Sequence, residues 1–324
     1  MTSTPMTPTT EPDPRLASTD AAVRRIAILD LADAEDDDDL PQLTAALRAD
    51  PAPEVRAEAA RVLGGWNHAR AVDALAQALL DADEGVRAAA ALALGELKDA
   101  DCAARLLPWA SHLDPSVRAA ALRGMKELRI SAARDPARRS LTHPDAGVRR
   151  EAVGVLGWLK AVEALPEIAR LAVGDADAEV RRGATGALGL ASGEGVAAVL
   201  PALLAALNDA AWPVREEAAT TLAKLRAADS LQALIAAMDD AAWQVRLRAA
   251  RALGRLGDAA ALPALVGALA HAQGNLRKEA AIALGEIGAP QAAPALELAT
   301  ADPDPEVRKV ARAALPRVRA RGAA

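Results

Sequence analysis

The chain has 324 residues, a formal net charge of -6, no Phe or Tyr, and one cysteine, Cys102. An acidic chain gains no general counterion-release affinity for nucleic acid, and a single cysteine excludes an internal disulfide framework. Ala and Leu supply most of the apolar residues, and both are strong helix formers. The composition therefore favours an all-α fold over a sheet, which would use aromatic and β-branched residues.

The chain opens with a segment rich in Thr and Pro that has no apolar stretch of the signal-peptide type. We expect residues 1–14 to form a disordered tail. The longest apolar run, residues 196–207, is too short to span a bilayer and is interrupted by Pro201. We therefore predict a soluble, cytoplasmic protein.

An arginine preceded by an apolar residue then recurs at nearly constant spacing. Successive separations are 31 or 32 residues, apart from one of 34 that coincides with an SGEG turn at residues 192–195. Such spacing identifies an internal repeat. The anchor arginines are Arg24, Arg56, Arg87, Arg118, Arg149, Arg181, Arg215, Arg246, Arg277 and Arg308.

Each repeat is predicted to contain two helices. In the repeat of Arg246, Val245, Ala249 and Leu253 are spaced to form one apolar helix face. After a Leu-Gly-Asp turn, Leu262 and Leu265 begin a second stretch with helical spacing. We call the two helices A and B. Neither can bury its apolar face alone, so successive repeats must stack.

Glycine recurs eight residues after many of the anchor arginines. A glycine late in a helix costs up to about 1 kcal/mol relative to Ala. Its recurrence indicates that helix A is closely approached there or is ending. The positions are Gly64, Gly95, Gly157, Gly189, Gly254 and Gly285.

These repeats resemble HEAT repeats of the short bacterial "PBS-lyase HEAT-like" type over about residues 20–318. The matching pattern is Asp-x5-Arg followed by Ala-Ala and Leu-Gly. The resemblance implies that the Asp and Arg residues form a structural ladder between successive repeats. The matching pairs are Asp50/Arg56, Asp81/Arg87, Asp175/Arg181, Asp209/Arg215, Asp240/Arg246 and Asp302/Arg308.

The pattern varies at several positions. His112, His143 and His271 replace the ladder aspartate in three repeats. A proline early in helix B is also similar to the family, at Pro201, Pro263 and Pro294, whereas Pro136 is expected to interrupt its helix B.

The resemblance implies a right-handed α-solenoid of about nine to ten HEAT-like helix pairs over residues 15–319. We expect the last helix to run from about Pro305 to Val318, with a short tail at 320–324. The concave surface is expected to be lined by the B helices.

Motifs for catalysis are missing from the sequence, which contains no P-loop, GxSxG or CxxC. The four histidines are not followed by Glu, so the His-Glu pairs that hold iron in the related deoxyhypusine hydroxylases are absent. Cys102 lies near the start of a helix B, where its pKa could fall, but it lacks a positioned base. We predict no enzymatic activity, metal or cofactor.

Trp212 and Trp243 occupy the same place in successive repeats, three residues before their anchor arginines. They could form a two-aromatic anchor for a partner. Alternatively, each indole packs over its own turn.

A basic stretch runs over residues 123–150. Arg134, Arg138 and Arg139 in this stretch are not ladder residues. They could bind an anionic partner, or the stretch could be a solvated, irregular repeat.

The most consistent function is a non-enzymatic scaffold, adaptor or assembly factor that binds protein partners through the solenoid surface. Two alternatives stay open. One is a subunit of a lyase or cofactor-maturation system, as in the bilin-lyase subunits of this family. The other is nucleic-acid binding, as in DNA-repair glycosylases built from HEAT-like repeats, although the acidity of the chain argues against it. No polybasic cluster favours a membrane.

Overall fold

A computed structural model describes residues 12–34 and 36–322. These residues form helices joined by short turns, with no β-strand among them. Residues 1–11 of the predicted tail and residues 323–324 lie outside the described residues. The chain divides into two compact units, Met1–Ala161 and Val162–Ala324.

The first unit contains nine α-helices within its described residues. Odd-numbered helices carry the anchor arginines and are the A helices. Even-numbered helices are the B helices, and a 3-10 helix, Ala104–Ser111, continues α6. The bounds are α1 (Ala21–Asp33), α2 (Leu40–Ala49), α3 (Pro53–Leu63), α4 (Ala69–Ala78), α5 (Glu84–Gly95), α6 (Ala100–Ala103), α7 (Pro115–Lys126), α8 (Arg134–Ser140) and α9 (Ala146–Trp158).

The second unit continues the alternation, again with the anchor arginines on odd-numbered helices. Its last helix begins at Pro305, as predicted, and runs to Gly322. The all-α solenoid predicted from the repeat is confirmed. The bounds are α10 (Leu165–Gly174), α11 (Ala178–Ala187), α12 (Gly195–Ala206), α13 (Trp212–Leu225), α14 (Leu231–Ala236), α15 (Trp243–Leu256), α16 (Leu262–Ala268), α17 (Gly274–Ile287), α18 (Ala293–Ala299) and α19 (Pro305–Gly322).

Within each unit, every A helix packs on the next A helix, and each B helix packs on the A helix that follows it. The residue before the anchor arginine supplies the most regular part of the core. It is fully buried, for example, at Val55, Val86, Val214 and Val245. Burial of these side chains in every repeat after the first helps to hold the stack together, because apolar burial is the dominant favourable term in folding.

The recurrent glycine serves two purposes. At Gly254 and Gly285 an added Cβ would lie 2.7–2.9 Å from Ala283 and Ala314 of the next A helix, so these glycines allow close helix approach. At Gly157 nothing lies within 4 Å of such a Cβ. Gly95 is the last residue of α5, which fits the alternative that the helix ends there.

Two expectations about proline are wrong. Pro201 is not early in its helix, because α12 begins six residues before it, at Gly195. Pro136 does not interrupt α8, which begins at Arg134 and continues through the proline. A proline in the first turn is tolerated, since the N–H that it lacks would have no intrahelical partner there.

Candidate functional site

The ladder joins successive A-helix repeats through paired hydrogen bonds. In each closed rung, the Nε and Nη2 atoms of an anchor arginine donate to the carboxylate of the aspartate in the next repeat, at 2.6–2.9 Å. The Nη1 atom donates to a backbone carbonyl six residues earlier. Closed rungs within the two units are Arg24–Asp50, Arg56–Asp81, Arg181–Asp209, Arg215–Asp240 and Arg277–Asp302.

The same carboxylates also organise the turn before each A helix. Asp209 and Asp240 accept the N–H of Ala211 and Ala242, the residues that precede α13 and α15. The arginine bonds hold the pKa of both carboxyls below the ordinary aspartate value. Each rung therefore ties a helix start to the previous repeat. Asp175, Arg308 and the other ladder residues lie in the same positions of their own repeats, and Arg181 and Arg308 donate to the carbonyls of Asp175 and Asp302.

Three rungs are open because histidine replaces the aspartate. His112, His143 and His271 still accept the turn N–H through Nδ1 at 3.0–3.1 Å. They offer no carboxylate to the preceding arginine. Arg87, Arg118 and Arg246 consequently donate to backbone carbonyls instead.

A second set of ion pairs was missed by the sequence analysis. Glu58, Glu151 and Glu279 lie two residues after their anchors and are more than nine-tenths buried. Their carboxylates accept from basic residues of the preceding A helix. These bonds are Arg25–Glu58, Arg123–Glu151, Lys126–Glu151 and Arg251–Glu279. The recurrence of glutamate two residues after the anchor arginine is the sequence signal that could have predicted these ion pairs.

Glu217 occupies the same position but lacks the matching partner. Gly186 stands where Arg123 and Arg251 stand in the other repeats, and an added Cβ there would lie 2.8 Å from Oε1 of Glu217. Burial raises the pKa of the Glu217 carboxyl above its usual range.

The two tryptophans are the first residues of α13 and α15. The Trp212 side chain is 42% exposed, whereas Trp243 is half-buried. α13 and α15 pack against each other, so both indoles lie at the same end of neighbouring helices. The geometry is compatible with either interpretation of this pair.

The basic residues Arg134, Arg138 and Arg139 are exposed on α8. Arg134 and Arg138 each already take part in an interaction within the protein. These three side chains are therefore exposed, and two of them already have a partner within the protein.

The expectation that the pKa of Cys102 could fall is wrong. Burial raises the pKa of the thiol, and Asp99 beside it adds to the effect. Within the described residues, no group of three or more His, Cys, Asp or Glu side chains lies close enough together to hold a metal ion.

Three of the five B helices described in the second unit carry no charge. α12, α14 and α16 contain no charged residue at all. Their exposed positions are occupied by Ala197, Ala198, Pro201, Ala205, Gln232, Ala236, Pro263, Val266 and Gly267.

The neighbouring B helices extend this surface. Val173 on α10 is 51% exposed and Leu298 on α18 is 80% exposed. Each B helix of the first unit contains at least one charged residue, as α10 and α18 also do. A helix without charge is ordinarily buried, so an exposed row of such helices marks this face as a candidate for binding. We call it the B face of the second unit.

The HEAT-repeat family model matches four overlapping segments, residues 40–112, 103–189, 168–243 and 231–316. The chain belongs to the HEAT-repeat family. The match covers most of the chain and agrees with the repeated A and B helices. A search of curated proteins found no match to it.

Solved structures support the same fold. A crystal structure of an engineered protein aligns with a TM-score of 0.57 and 21% identity, covering 94% of this chain and 97% of that one. A crystal structure of importin beta in an ammonium sulfate condition aligns with a TM-score of 0.62 and 18% identity, covering 94% of this HEAT-repeat chain. The alignment spans half of the importin chain. At these identities the likeness establishes the fold alone. None of the helices in the described part of the chain is long and apolar enough to cross a bilayer.

Proposed function

We propose that this HEAT-repeat protein is a non-enzymatic scaffold, adaptor or assembly factor that binds a protein partner through the B face of the second unit. The observation that carries the proposal is the exposure of α12, α14 and α16, three helices without a charged residue. The cores of protein interfaces are depleted of charged residues, and contiguous exposed apolar patches mark interaction sites.

A protein suits this face better than a nucleic acid does. Nucleic-acid affinity depends on Lys and Arg contacts that release counterions from phosphates, and these three helices supply none. An extended row of helices also presents its side chains along a surface rather than around one closed pocket, which fits a protein segment laid across successive repeats.

Affinity capture from the native lysate tests the proposal. The variant Val266→Glu with Leu298→Glu places two charges on exposed positions of the B face, so folding should be retained while the partner is lost. Leu92→Glu is the matched control, because Leu92 is 63% exposed on the A helix α5. A stoichiometric protein captured by the wild type and the control but not by the double variant supports the proposal. Equal capture by all three contradicts it.

Finer features belong to the same proposal. We infer that the repeats are of the short bacterial PBS-lyase HEAT-like type, which their Asp-x5-Arg, Ala-Ala and Leu-Gly pattern resembles, and that the protein acts in the cytoplasm. Trp212 and Trp243, and the basic residues Arg134, Arg138 and Arg139, are proposed as additional partner contacts. Capture with Trp212→Ala and Trp243→Ala combined, or with Arg138→Glu and Arg139→Glu combined, tests each contribution separately.

A further inference from the structure

The open rung at Arg246 leaves part of a guanidinium unused. In a closed rung all three nitrogens of the anchor arginine donate, one to a carbonyl and two to a carboxylate. Arg246 instead donates through Nε to the carbonyl of Asp240. Its two Nη atoms have no acceptor among the residues that the structure describes. No polar side-chain atom in this part of the chain is both fully buried and unpaired, so these atoms remain accessible.

His271 removes the carboxylate without disturbing the turn. Its Nδ1 accepts the N–H of Gln273 at 3.0 Å, as Asp240 accepts the N–H of Ala242 at 2.8 Å. The carbonyl of His271 also still accepts from Arg277 at 2.9 Å. The substitution thus keeps the local structure and leaves only the preceding arginine without its acid.

A groove opens at this rung. It has a volume of about 450 Å³ and is lined by Arg246 and His271 together with Met238, Asp239, Gly267 and Leu276 among others. The corresponding groove at the closed Arg56–Asp81 rung has a volume of about 250 Å³, and Arg56 does not line it. The larger groove lies between the B helix α16 and the segment that follows α14, along the B face of the second unit.

We propose that this groove binds the carboxylate of an acidic side chain from the protein partner, which would complete the Arg246 rung from outside. In a closed rung Nε and Nη2 of the arginine hold one carboxylate. At Arg246 the Nε atom is already bonded to the carbonyl of Asp240, so the incoming carboxylate would be held by the two Nη atoms, which is also a bidentate arrangement. The apolar walls at Met238 and Leu276 suit the aliphatic part of a glutamate. The inference deepens the proposed function and rests on it.

The charge of the groove favours a carboxylate over a phosphate group. Arg246 is the one permanently charged cation among the lining residues, and Asp239 lines the same groove. The single arginine matches the one charge of a carboxylate, whereas a phosphate carries up to two charges, would be left partly unneutralised, and would be repelled more strongly by Asp239 than a carboxylate is. Recognition of a single acidic residue is therefore the outcome that the local charges support.

The test measures binding of a labelled peptide of alternating alanine and glutamate to the full chain. Its control is the same peptide with glutamine in place of glutamate. We expect the acidic peptide to bind in a salt-sensitive way and the neutral peptide to bind at least about tenfold more weakly, the factor for one charge-assisted hydrogen bond.

Two variants locate the site. His271→Asp supplies the missing carboxylate internally and should close the rung, which lowers peptide affinity about tenfold or more and raises the melting temperature. Gly267→Leu should fill the groove without a clash, because nothing lies within 4 Å of an added Cβ there. Gly174→Leu is the matched control, since Gly174 on α10 has the same free space but does not line the groove.

Failure to bind the acidic peptide, equal binding of the neutral peptide, or unchanged affinity in folded His271→Asp would overturn the inference. The two proposals fail separately. A partner captured equally by wild type and His271→Asp would reject the carboxylate site and leave the B-face function standing. The opposite result is also possible: the acidic peptide binds, but Val266→Glu with Leu298→Glu leaves partner capture unchanged. That result would reject the B-face function instead.

Discussion

Glycines that occupy the same position in different repeats have different surroundings. Gly285 lies where the next A helix comes close enough that a Cβ would approach Ala314 to 2.7 Å. Gly157 has the same place in its repeat and open space around it. Only the first should be intolerant of a side chain, although the two are indistinguishable in the repeat pattern.

Alanine substitution should separate these two glycines. Gly285→Ala should lower the free energy of unfolding by about 1–3 kcal/mol, because the added methyl overpacks a tight helix contact. Gly157→Ala should raise it by about 0.5–1 kcal/mol, because alanine favours the helix and meets nothing. Urea unfolding of both variants measures the difference. Equal effects of the two substitutions would mean that the close approach at Gly285 has no energetic consequence.

Glu217 provides a second contrast between residues at one repeat position. Its pKa is raised by burial, so the folded state holds its proton more tightly than the unfolded state. Its contribution to stability is therefore present below the unfolded glutamate pKa of about 4.3 and is lost as the pH rises through the folded pKa. Glu279, in contrast, is paired with Arg251.

Glu217→Gln should accordingly raise the melting temperature at pH 7 and give no gain in acid. Glu279→Gln should lower it at pH 7, because the buried partner of Arg251 is lost. Thermal unfolding at neutral and acid pH measures both. A lower melting temperature for Glu217→Gln at pH 7 would show that the carboxylate has a stabilising partner after all.

At the scale of helices, the ladder decides how firmly each A helix start is tied to the repeat before it. Asp240 accepts two bonds from Arg215 and one from the turn. Both side chains of this pair are mostly buried, with 17% and 10% exposure. The arginine holds the pKa of Asp240 below its usual value. The stabilisation is therefore present above the unfolded aspartate pKa of about 3.9 and is lost as the pH falls through the folded pKa.

Asp240→Ala should lower the free energy of unfolding at pH 7 by about 1.5–3 kcal/mol, the range for hydrogen bonds to charged groups. The difference from wild type should begin to shrink below about pH 4, where the unfolded carboxyl becomes protonated, and should be lost as the pH falls through the lower pKa of Asp240 in the folded protein. Asp239→Ala is the control, because Asp239 is exposed and outside the ladder. Chemical unfolding across pH measures the effect. A penalty that stays constant down to pH 2 would mean that it does not come from the ionised pair.

Helices were predictable wherever one repeat resembles the next. The anchor arginines gave the A helices and the beginning of α19, because the period depends on contacts that every repeat makes. The start of α12 was not predictable from Pro201, because the longer SGEG turn lets the helix begin earlier. The sequence contains the glutamates that pair across A helices, but their partners, such as Arg123 and Arg251, become visible only when the helices are stacked.

The open rung shows a similar limit. The presence of His271 where other repeats have Asp is visible in the sequence. Its effect on Arg246 depends on how much room the neighbouring helices leave around that arginine. Only the structure shows that Arg246 faces a groove there, and that Gly267 contributes to its size. The repeat pattern identifies the position at which histidine replaces the usual aspartate. The packing of the neighbouring helices determines whether that replacement leaves a groove beside the arginine.

For the whole molecule, function depends on which surface of the repeats a partner covers. A HEAT-repeat chain buries its core by stacking and leaves the outer faces of its helices exposed. In the second unit the B face includes three helices without a charged residue, which would otherwise be expected to be buried. We therefore infer that a protein partner covers α12, α14 and α16.

Amide hydrogen exchange of the chain, alone and in the complex recovered by affinity capture, tests this claim most directly. We expect slower exchange on binding in α12, α14 and α16, with the A helices α13 and α15 protected no more than in the free chain. The proposed carboxylate site further predicts protection at the residues around His271. Protection confined to the A helices or to the first unit, with the B face unchanged, would contradict the account.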